Sequence, residues 1–159
     1  IVRYLKAYIP GFENAWLDKV APFMGVRETR RLVGEYTLTE QDIFDCARFD
    51  DAIAVASYPV DLHHPVGGDC SLWWCPDCYD VPYRCLIPKK VDGVIAAGRD
   101  ISATHLALAS VRVMGPAMCL GEAAGKAAAL AVRDNKELRD LDVTELQSAL
   151  REEGVYFRD

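Results

Sequence analysis

A glycine and a carboxylate follow the apolar run of residues 94–97, and their chemistry suits a nucleotide cofactor. Gly98 lets the backbone approach a phosphate closely, and the Asp100 carboxylate can accept hydrogen bonds from ribose or ribityl hydroxyl groups. If residues 94–97 form a buried strand, both residues lie at its carboxyl end, where open α/β sheets bind their ligands. The segment therefore predicts one wall of a nucleotide-cofactor site.

An alanine-rich stretch lies behind that wall. Residues 111–132 predict a long helix that is entered or kinked at Gly115-Pro116. Gly121 and Gly125 are four residues apart and share one face, so the helix backbone can lie against a sheet or a flat ligand. Helix packing alone is the alternative explanation for these small residues. No G-x-G-x-x-G motif occurs in the sequence, so we expect only half of a cofactor site.

The amino-acid composition of the chain argues against several classes of function. The 159 residues are 51% hydrophobic, which is typical of a globular protein with a real core. The net charge of −6 and the scattered arginines argue against a nucleic-acid partner. No apolar run reaches the roughly 18 residues of a membrane span, and no signal peptide is visible. Of six cysteines, Cys46, Cys85 and Cys119 have apolar neighbours, so we expect reduced thiols and a cytoplasmic protein.

Local patterns predict the remaining elements. Capping residues precede two helices: Thr39 before a helix that runs to about Cys46, and Asp142, with Glu145 as its capping-box partner, before a helix that ends at Gly154. The other expected elements are two short helices in residues 1–24, strands at residues 30–38, 51–58 and 83–87, and a long Cys-rich loop at residues 61–80.

Several motifs resemble the carboxyl-terminal part of FAD-dependent oxidoreductases of the glutathione-reductase-like superfamily, and of their bacterial members in particular. They are AGRDISATH at residues 97–105, SVRVM at 110–114, GEAAG at 121–125, PGFENA at 10–15, GVRETRR at 25–31, GEY at 34–36, YPVDLH at 58–63 and YRCLIP at 83–88. Together they cover nearly the whole chain.

The resemblance implies an α/β or α+β fold that is part of a larger flavoprotein. Residues 1–90 would belong to a substrate or cap region that includes the Cys-rich loop, and residues 91–159 would form the carboxyl-terminal part of the FAD-binding domain. An amino-terminal Rossmann half, lacking here, would hold the ADP part of FAD. Such a fragment is expected to bind FAD weakly or not at all, to be inactive alone, and to self-associate through the surface left by the missing half.

The resemblance also assigns cofactor contacts by position. Gly98, Arg99 and Asp100 match the family segment that meets the ribityl-pyrophosphate. Met114, Gly115 and Ala117 match the helix start that meets the pyrimidine edge of the flavin, where a helix dipole stabilises negative charge.

Flavin chemistry on a small-molecule substrate also needs cations that hold a carboxylate or a developing anion. The candidate catalytic residues are Arg27, Arg31, His63, His105 and Arg112. An arginine in the apolar run at residues 110–114 is costly to bury without a partner. Structural pairs with Glu28, Glu35 or Glu122 are the alternative for the arginines.

The Cys75-Pro76-Asp77-Cys78 motif does not match the family pattern and permits two further hypotheses. C-x-x-C can bind zinc, here with Cys70 and Cys85, or it can cycle as a redox dithiol. A second C-x-x-C, typical of zinc sites, is absent. The alternative function is therefore a non-enzymatic module whose Cys/His loop binds zinc or a protein partner.

Overall fold

Helices and two small antiparallel sheets make up the computed structural model, which describes residues 1–23, 25–64 and 68–158. The helices are α1 (Val2–Tyr8), α2 (Glu40–Phe44), α3 (His105–Val111), α4 (Met114–Asp134) and α5 (Val143–Glu152). The strands are β1 (Ala52–Ala56), β2 (Val60–His63), β3 (Cys70–Trp73) and β4 (Tyr79–Pro82). β1 pairs with β4 and β2 pairs with β3, so the fold is α+β.

The core lies between the β1–β4 sheet and α4. All four residues of β4 and four of the five in β1 are buried, which explains why the apolar run at residues 51–58 predicts its strand correctly. The small side chains of Ala123 and Ala127 on the buried face of α4 let this helix approach the sheet closely. Leu146 and Leu150 of α5 close the core on its far side.

Both predicted helix caps are present. The Thr39 hydroxyl accepts a hydrogen bond from the backbone N–H of Asp42, whose carboxylate accepts from the Thr39 N–H in return. Asp142 accepts from the Thr144 N–H at 2.9 Å and caps α5. The Glu145 side chain, expected to complete a capping box there, pairs with Arg133.

Strands β2, β3 and β4 occupy parts of residues 61–80, which were expected to form one long loop. The β2–β3 hairpin pairs Val60 with Trp73 and His63 with Cys70, and β4 begins at Tyr79. Residues 65–67 of the expected loop lie outside the described part of the chain. Pairing between the strands provides hydrogen-bond partners for backbone N–H and C=O groups. In an irregular loop of this length, those groups would have to hydrogen-bond to water.

Three expected strands have other conformations. Residues 94–97 belong to neither described sheet, although the Ala96 N–H donates to the Leu86 carbonyl and Ala97 has an extended backbone. Residues 30–38 make only isolated bridges, and Tyr83–Cys85 is a 3₁₀ helix. All three segments are rich in residues with high β-propensity, which is why strands were predicted. Strand formation depends on pairing with a neighbouring strand as much as on this propensity.

The long helix expected at residues 111–132 is present as α4 and is entered at Gly115-Pro116, and a separate short helix, α3, precedes it. α3 ends at Val111 and α4 begins at Met114, with a bend of 92° between them, and Pro116 sits in the first turn of α4, where it is tolerated. Among the described helices none is by itself long and apolar enough to cross a membrane. Only the bent α3–α4 pair, taken together, meets that test of length and composition.

The amino-terminal segment contributes little to the core. α1 buries none of its residues, and the second helix expected in residues 1–24 is not among the described elements. Large apolar side chains in this segment stay mostly exposed, including Tyr8, Trp16, Val20 and Phe23. The segment therefore carries apolar surface that the described residues do not cover.

Candidate functional site

Three of the five basic candidates meet the carboxylate of Glu28. Arg31 Nη1 and His105 Nδ1 lie 3.1 and 2.8 Å from Glu28 Oε1, and Arg112 Nη1 lies 3.6 Å from Oε2. Of the carboxylates considered as structural partners, Glu28 therefore pairs with both Arg31 and Arg112, whereas Glu35 pairs with Arg139.

The other two candidates meet Asp61. Arg27 Nη2 lies 3.3 Å from Asp61 Oδ2, and His63 Nε2 lies 3.1 Å from the same carboxylate. Arg112 joins the two groups, because its Nη2 donates to the backbone carbonyl of Asp61 at 3.0 Å. All five sequence-predicted candidates thus belong to one network of ion pairs and hydrogen bonds.

Regular elements position the best-buried members of this network. Asp61 and His63 are two apart on β2 and share a face, and His105 begins α3 while Arg112 follows its last residue. The Arg112 and Asp61 side chains are only 10% and 11% exposed. Packing therefore fixes the side chains of Arg112 and Asp61. The other members, Arg27, Glu28 and Arg31, lie in residues 25–33, which have no regular secondary structure.

The sequence named the cations and offered Glu28 as one of three alternative partners, but it did not identify Asp61 as a partner or Glu28 as the residue that three cations share. Asp61 and His63 carry a usable signal, because an Asp-x-His spacing in a strand places both side chains on one face. Glu28 carries only a weak signal, its position between Arg27 and Arg31. Its contacts with His105 and Arg112 join residues far apart in the chain, which local spacing cannot reveal.

A cavity of about 280 Å³ opens beside the network at the start of α4, and three arginines from separate segments reach it. It is lined by Arg27, Arg99, Arg112, Val113 and Met114. Arg99 also donates a hydrogen bond to the backbone carbonyl of Val26. Four arginines (Arg27, Arg31, Arg99 and Arg112) and two carboxylates occupy the network and cavity, so this region is positive in a chain whose net charge is −6.

The helix terminus adds to the positive character of the cavity. The N-cap of α4 is Val113, whose side chain cannot accept a hydrogen bond from the first amides of the helix. Unpartnered amides and the helix dipole both favour an anion at this end. The cavity is therefore suited to a carboxylate, a phosphate or another negatively charged group.

A second cavity, of about 590 Å³, adjoins the same helix start and is largely apolar. Val113 lines both cavities, and the apolar one is walled by Tyr58, Leu72, Trp74, Pro116 and Cys119 among others. A positive cavity and an apolar cavity thus meet at one residue.

The two segments expected to contact a cofactor come together at the positive cavity, where Arg99 of one and Met114 of the other both line the wall. Gly98 has φ +81°, a left-handed conformation that favours glycine, and a Cβ there would meet no atom within 4 Å. The exposed Asp100 carboxylate makes no hydrogen bond or ion pair within the described residues. Gly115 is also open, and Ala117 is partly buried behind it.

The alternative zinc ligands are not assembled. In the described part of the chain, no group of three or more His, Cys, Asp or Glu side chains could hold a metal ion. Cys70 is exposed and Cys85 is buried in the core, where burial raises the pKa of its thiol to about 12. The sulfur that contacts Cys75 is that of Cys46, which the sequence did not indicate.

Comparison with known proteins gives one match. A family model described as FAD dependent oxidoreductase matches residues 1–150. Searches of the curated proteins and of the solved structures found no match.

Proposed function

Because the chain belongs to the FAD dependent oxidoreductase family, we propose that it supplies flavin-facing and substrate-pocket residues to an FAD-dependent oxidoreductase. The observation that carries this proposal is the cavity at the start of α4, where Arg27, Arg99 and Arg112 converge. Asp61 and Glu28 offset part of this charge, but the arginines of the network and cavity outnumber the two carboxylates, so the arrangement favours a negatively charged ligand group.

The residues present fit one end of FAD. Gly98 leaves open space beside the backbone. The Asp100 carboxylate has no side-chain partner among the described residues and is a suitable acceptor for ribityl hydroxyl groups. Met114, Gly115 and Ala117 at the start of α4 would face the pyrimidine edge of the flavin, near amides without a side-chain cap. When bound, the flavin supplies the hydride-accepting chemistry.

The chain's own residues would orient the substrate and balance charge. Arg112, the least exposed of the three arginines of the cavity, holds its guanidinium in place through Glu28 and Asp61 and can present remaining N–H groups to a substrate carboxylate. His105 contacts Glu28 through Nδ1, which leaves Nε2 to hold or move a proton at the substrate. The apolar cavity beyond Val113 would keep water from the body of the substrate.

A separate segment would complete the site. We propose that a G-x-G-x-x-G half, which the 159 residues lack, holds the ADP part of FAD, so that this chain alone binds FAD weakly and is inactive. Two open surfaces support this proposal: the exposed face of α4 that carries Gly121 and Gly125, and the apolar side chains of residues 1–23. The same surfaces could pair two copies of the chain.

The test measures flavin binding by absorption and fluorescence for two proteins: the 159-residue chain, and the same chain joined to a nucleotide-binding half of this family. We expect stoichiometric FAD only in the joined protein, with at least tenfold weaker binding after Arg112→Gln. Arg133→Gln, on the distant end of α4, is the matched control and should leave FAD binding unchanged. A joined, folded protein that binds no FAD would overturn the proposal.

A further inference from the structure

Two thiols distant in sequence meet beside the core. Cys46 follows α2 and Cys75 follows β3, and their sulfur atoms lie 4.0 Å apart. Both are free cysteines. A disulfide needs about 2.0 Å between the sulfurs, so side-chain rotation with a small backbone adjustment can close the gap.

A buried ion pair holds the two thiol-bearing segments together. The Arg158 guanidinium donates to the backbone carbonyls of Cys46 and Cys78 at 3.2 and 2.7 Å, and it pairs with Asp80 at 2.9 Å. Asp80 also accepts from the Phe49 N–H. Residues 46–49 and 78–80 are therefore tied by contacts that exist without a covalent bond, and these contacts keep the thiols close.

From this geometry we propose that Cys46 and Cys75 form a reversible redox site, in which a peroxide converts the two thiols to a disulfide. The C-x-x-C spacing pointed to Cys78 as the partner of Cys75, but the sulfur contact that Cys75 makes is with Cys46. The proposal does not depend on flavin binding, because every group it uses lies in the described chain.

The two sulfurs have different roles. Cys46 is partly exposed, whereas Cys75 is buried and donates its S–H to the Ile43 carbonyl at 3.1 Å. Burial also raises the pKa of the Cys75 thiol, which keeps it protonated and slow to react with a peroxide from solvent. Cys46 is therefore the thiol that a peroxide oxidises first.

The chemistry balances in two steps. The Cys46 sulfur attacks one oxygen of hydrogen peroxide, the O–O bond breaks, and the thiol proton leaves with the other oxygen as water, which makes a sulfenic acid. The Cys75 sulfur then attacks the Cys46 sulfur, and the sulfenic hydroxyl leaves as a second water with the Cys75 proton. Two thiols and one peroxide thus give one disulfide and two waters, and a dithiol reductant reverses the change.

Oxidation at this site would reach the apolar cavity. Trp74 precedes Cys75 in the chain and lines that cavity together with Val113 of the α4 cap. Closing the sulfur gap shifts Cys75, so the indole of Trp74 should move with it. Tryptophan fluorescence is therefore a second reporter of the redox state.

The experiment treats the chain with hydrogen peroxide, alkylates the remaining thiols in denaturant, and maps the linked peptides. We expect alkylatable thiols to fall from six to four, with residues 32–48 joined to the peptide that contains Cys75. A protease that cuts before Asp77 separates Cys75 from Cys78, and fragmentation of the linked peptide by tandem mass spectrometry distinguishes Cys75 from Cys70.

Matched variants complete the test. Cys46→Ser and Cys75→Ser should each abolish the cross-link and the fluorescence change, whereas Cys78→Ser should keep both. A Cys75–Cys78 link, a link that survives Cys46→Ser, or six alkylatable thiols after peroxide would each overturn the proposal. The wild-type peptide map decides the matter even if one serine variant fails to fold.

Discussion

Arg112, at the corner between α3 and α4, donates a hydrogen bond of 3.0 Å from its Nη2 to the backbone carbonyl of Asp61 in β2. Its Nη1 approaches Glu28, and the side chain is 10% exposed. We expect Arg112→Gln to lower the free energy of unfolding by about 2 kcal/mol, because a charged hydrogen bond is lost in a mostly buried place. Urea denaturation followed by circular dichroism measures the change.

Arg112→Lys is the informative companion variant. Lysine keeps the charge but cannot reach Glu28 and Asp61 at once with a planar fork, so its stability should fall between wild type and Arg112→Gln. Equal stability of all three proteins would show that the contacts of Arg112 contribute nothing to folding.

The buried pair between Arg158 and Asp80 should contribute more to stability than an exposed pair. Both side chains are 8% exposed, and Arg158→Met would leave the Asp80 carboxylate buried without its cation. We expect a loss of about 3 to 5 kcal/mol in the free energy of unfolding. Thermal and urea unfolding both measure it.

Arg133→Met is the matched control, because Arg133 also contacts two carboxylates, Asp134 and Glu145, but is 55% exposed. The loss of stability should be far smaller than for Arg158→Met, because water screens an exposed pair. Similar losses for the two arginine variants would contradict the expected effect of burial.

Gly34 has no room for a side chain. A Cβ there would lie 2.7 Å from Ser102 Cβ and 3.0 Å from two backbone carbonyl oxygens, of Arg84 and Tyr36. Backbone oxygens cannot rotate away, so Gly34→Ala should destabilise the protein by about 1 to 3 kcal/mol. Gly125→Ala, in an open position on α4, should instead raise stability by up to about 1 kcal/mol, and chemical denaturation of both variants would reveal a wrong sign.

Glu40 should make stability depend on pH. The Thr104 hydroxyl donates to its Oε2 at 2.7 Å, and this hydrogen bond, with a smaller contribution from its own backbone N–H, lowers the pKa of the carboxyl. A lowered folded-state pKa means that the contribution is present above the unfolded-state pKa and is lost as the pH falls through the folded-state pKa.

Glu40→Gln measures that dependence. Wild type should exceed the variant in unfolding free energy at about pH 7, and the difference should shrink as the pH is lowered below about 4. Urea unfolding at several pH values provides the data. A difference that stays constant across this range would show that ionised Glu40 has no special stabilising contact.

Short-range signals predicted the local structure well. Thr39 and Asp142 were identified as caps because a helix start satisfies its amides with side chains a few residues away. The apolar run around Ile53 also predicted a buried strand from neighbouring residues alone. A strand that is buried on both faces is apolar throughout, so a short continuous apolar run is enough to indicate it. These features depend only on neighbours in the sequence.

Features that depend on distant contacts were missed. The short helix α3 was not expected, and the contacts that hold the corner after it, at Arg112, come from Glu28 and Asp61. The needs of flavin chemistry pointed to the five basic candidates and Glu28 was one of three alternative partners, yet only the fold shows that Glu28 and Asp61 together contact all five. The contact between Cys46 and Cys75 likewise depends on packing that no motif encodes.

The pairing of residues 34–40 with residues 84–104 sets an order for folding. Gly34 bridges to Pro88, Leu38 bridges to Ala103, and Glu40 accepts from Thr104, so this early segment finds its partners only far along the chain. Long-range contacts of this kind slow folding, because a large loop must close before they form. During synthesis, residues 34–40 should therefore lack these partners until residues 84–104 have left the ribosome, and a pause in translation before that point would lengthen their exposure to chaperones and proteases.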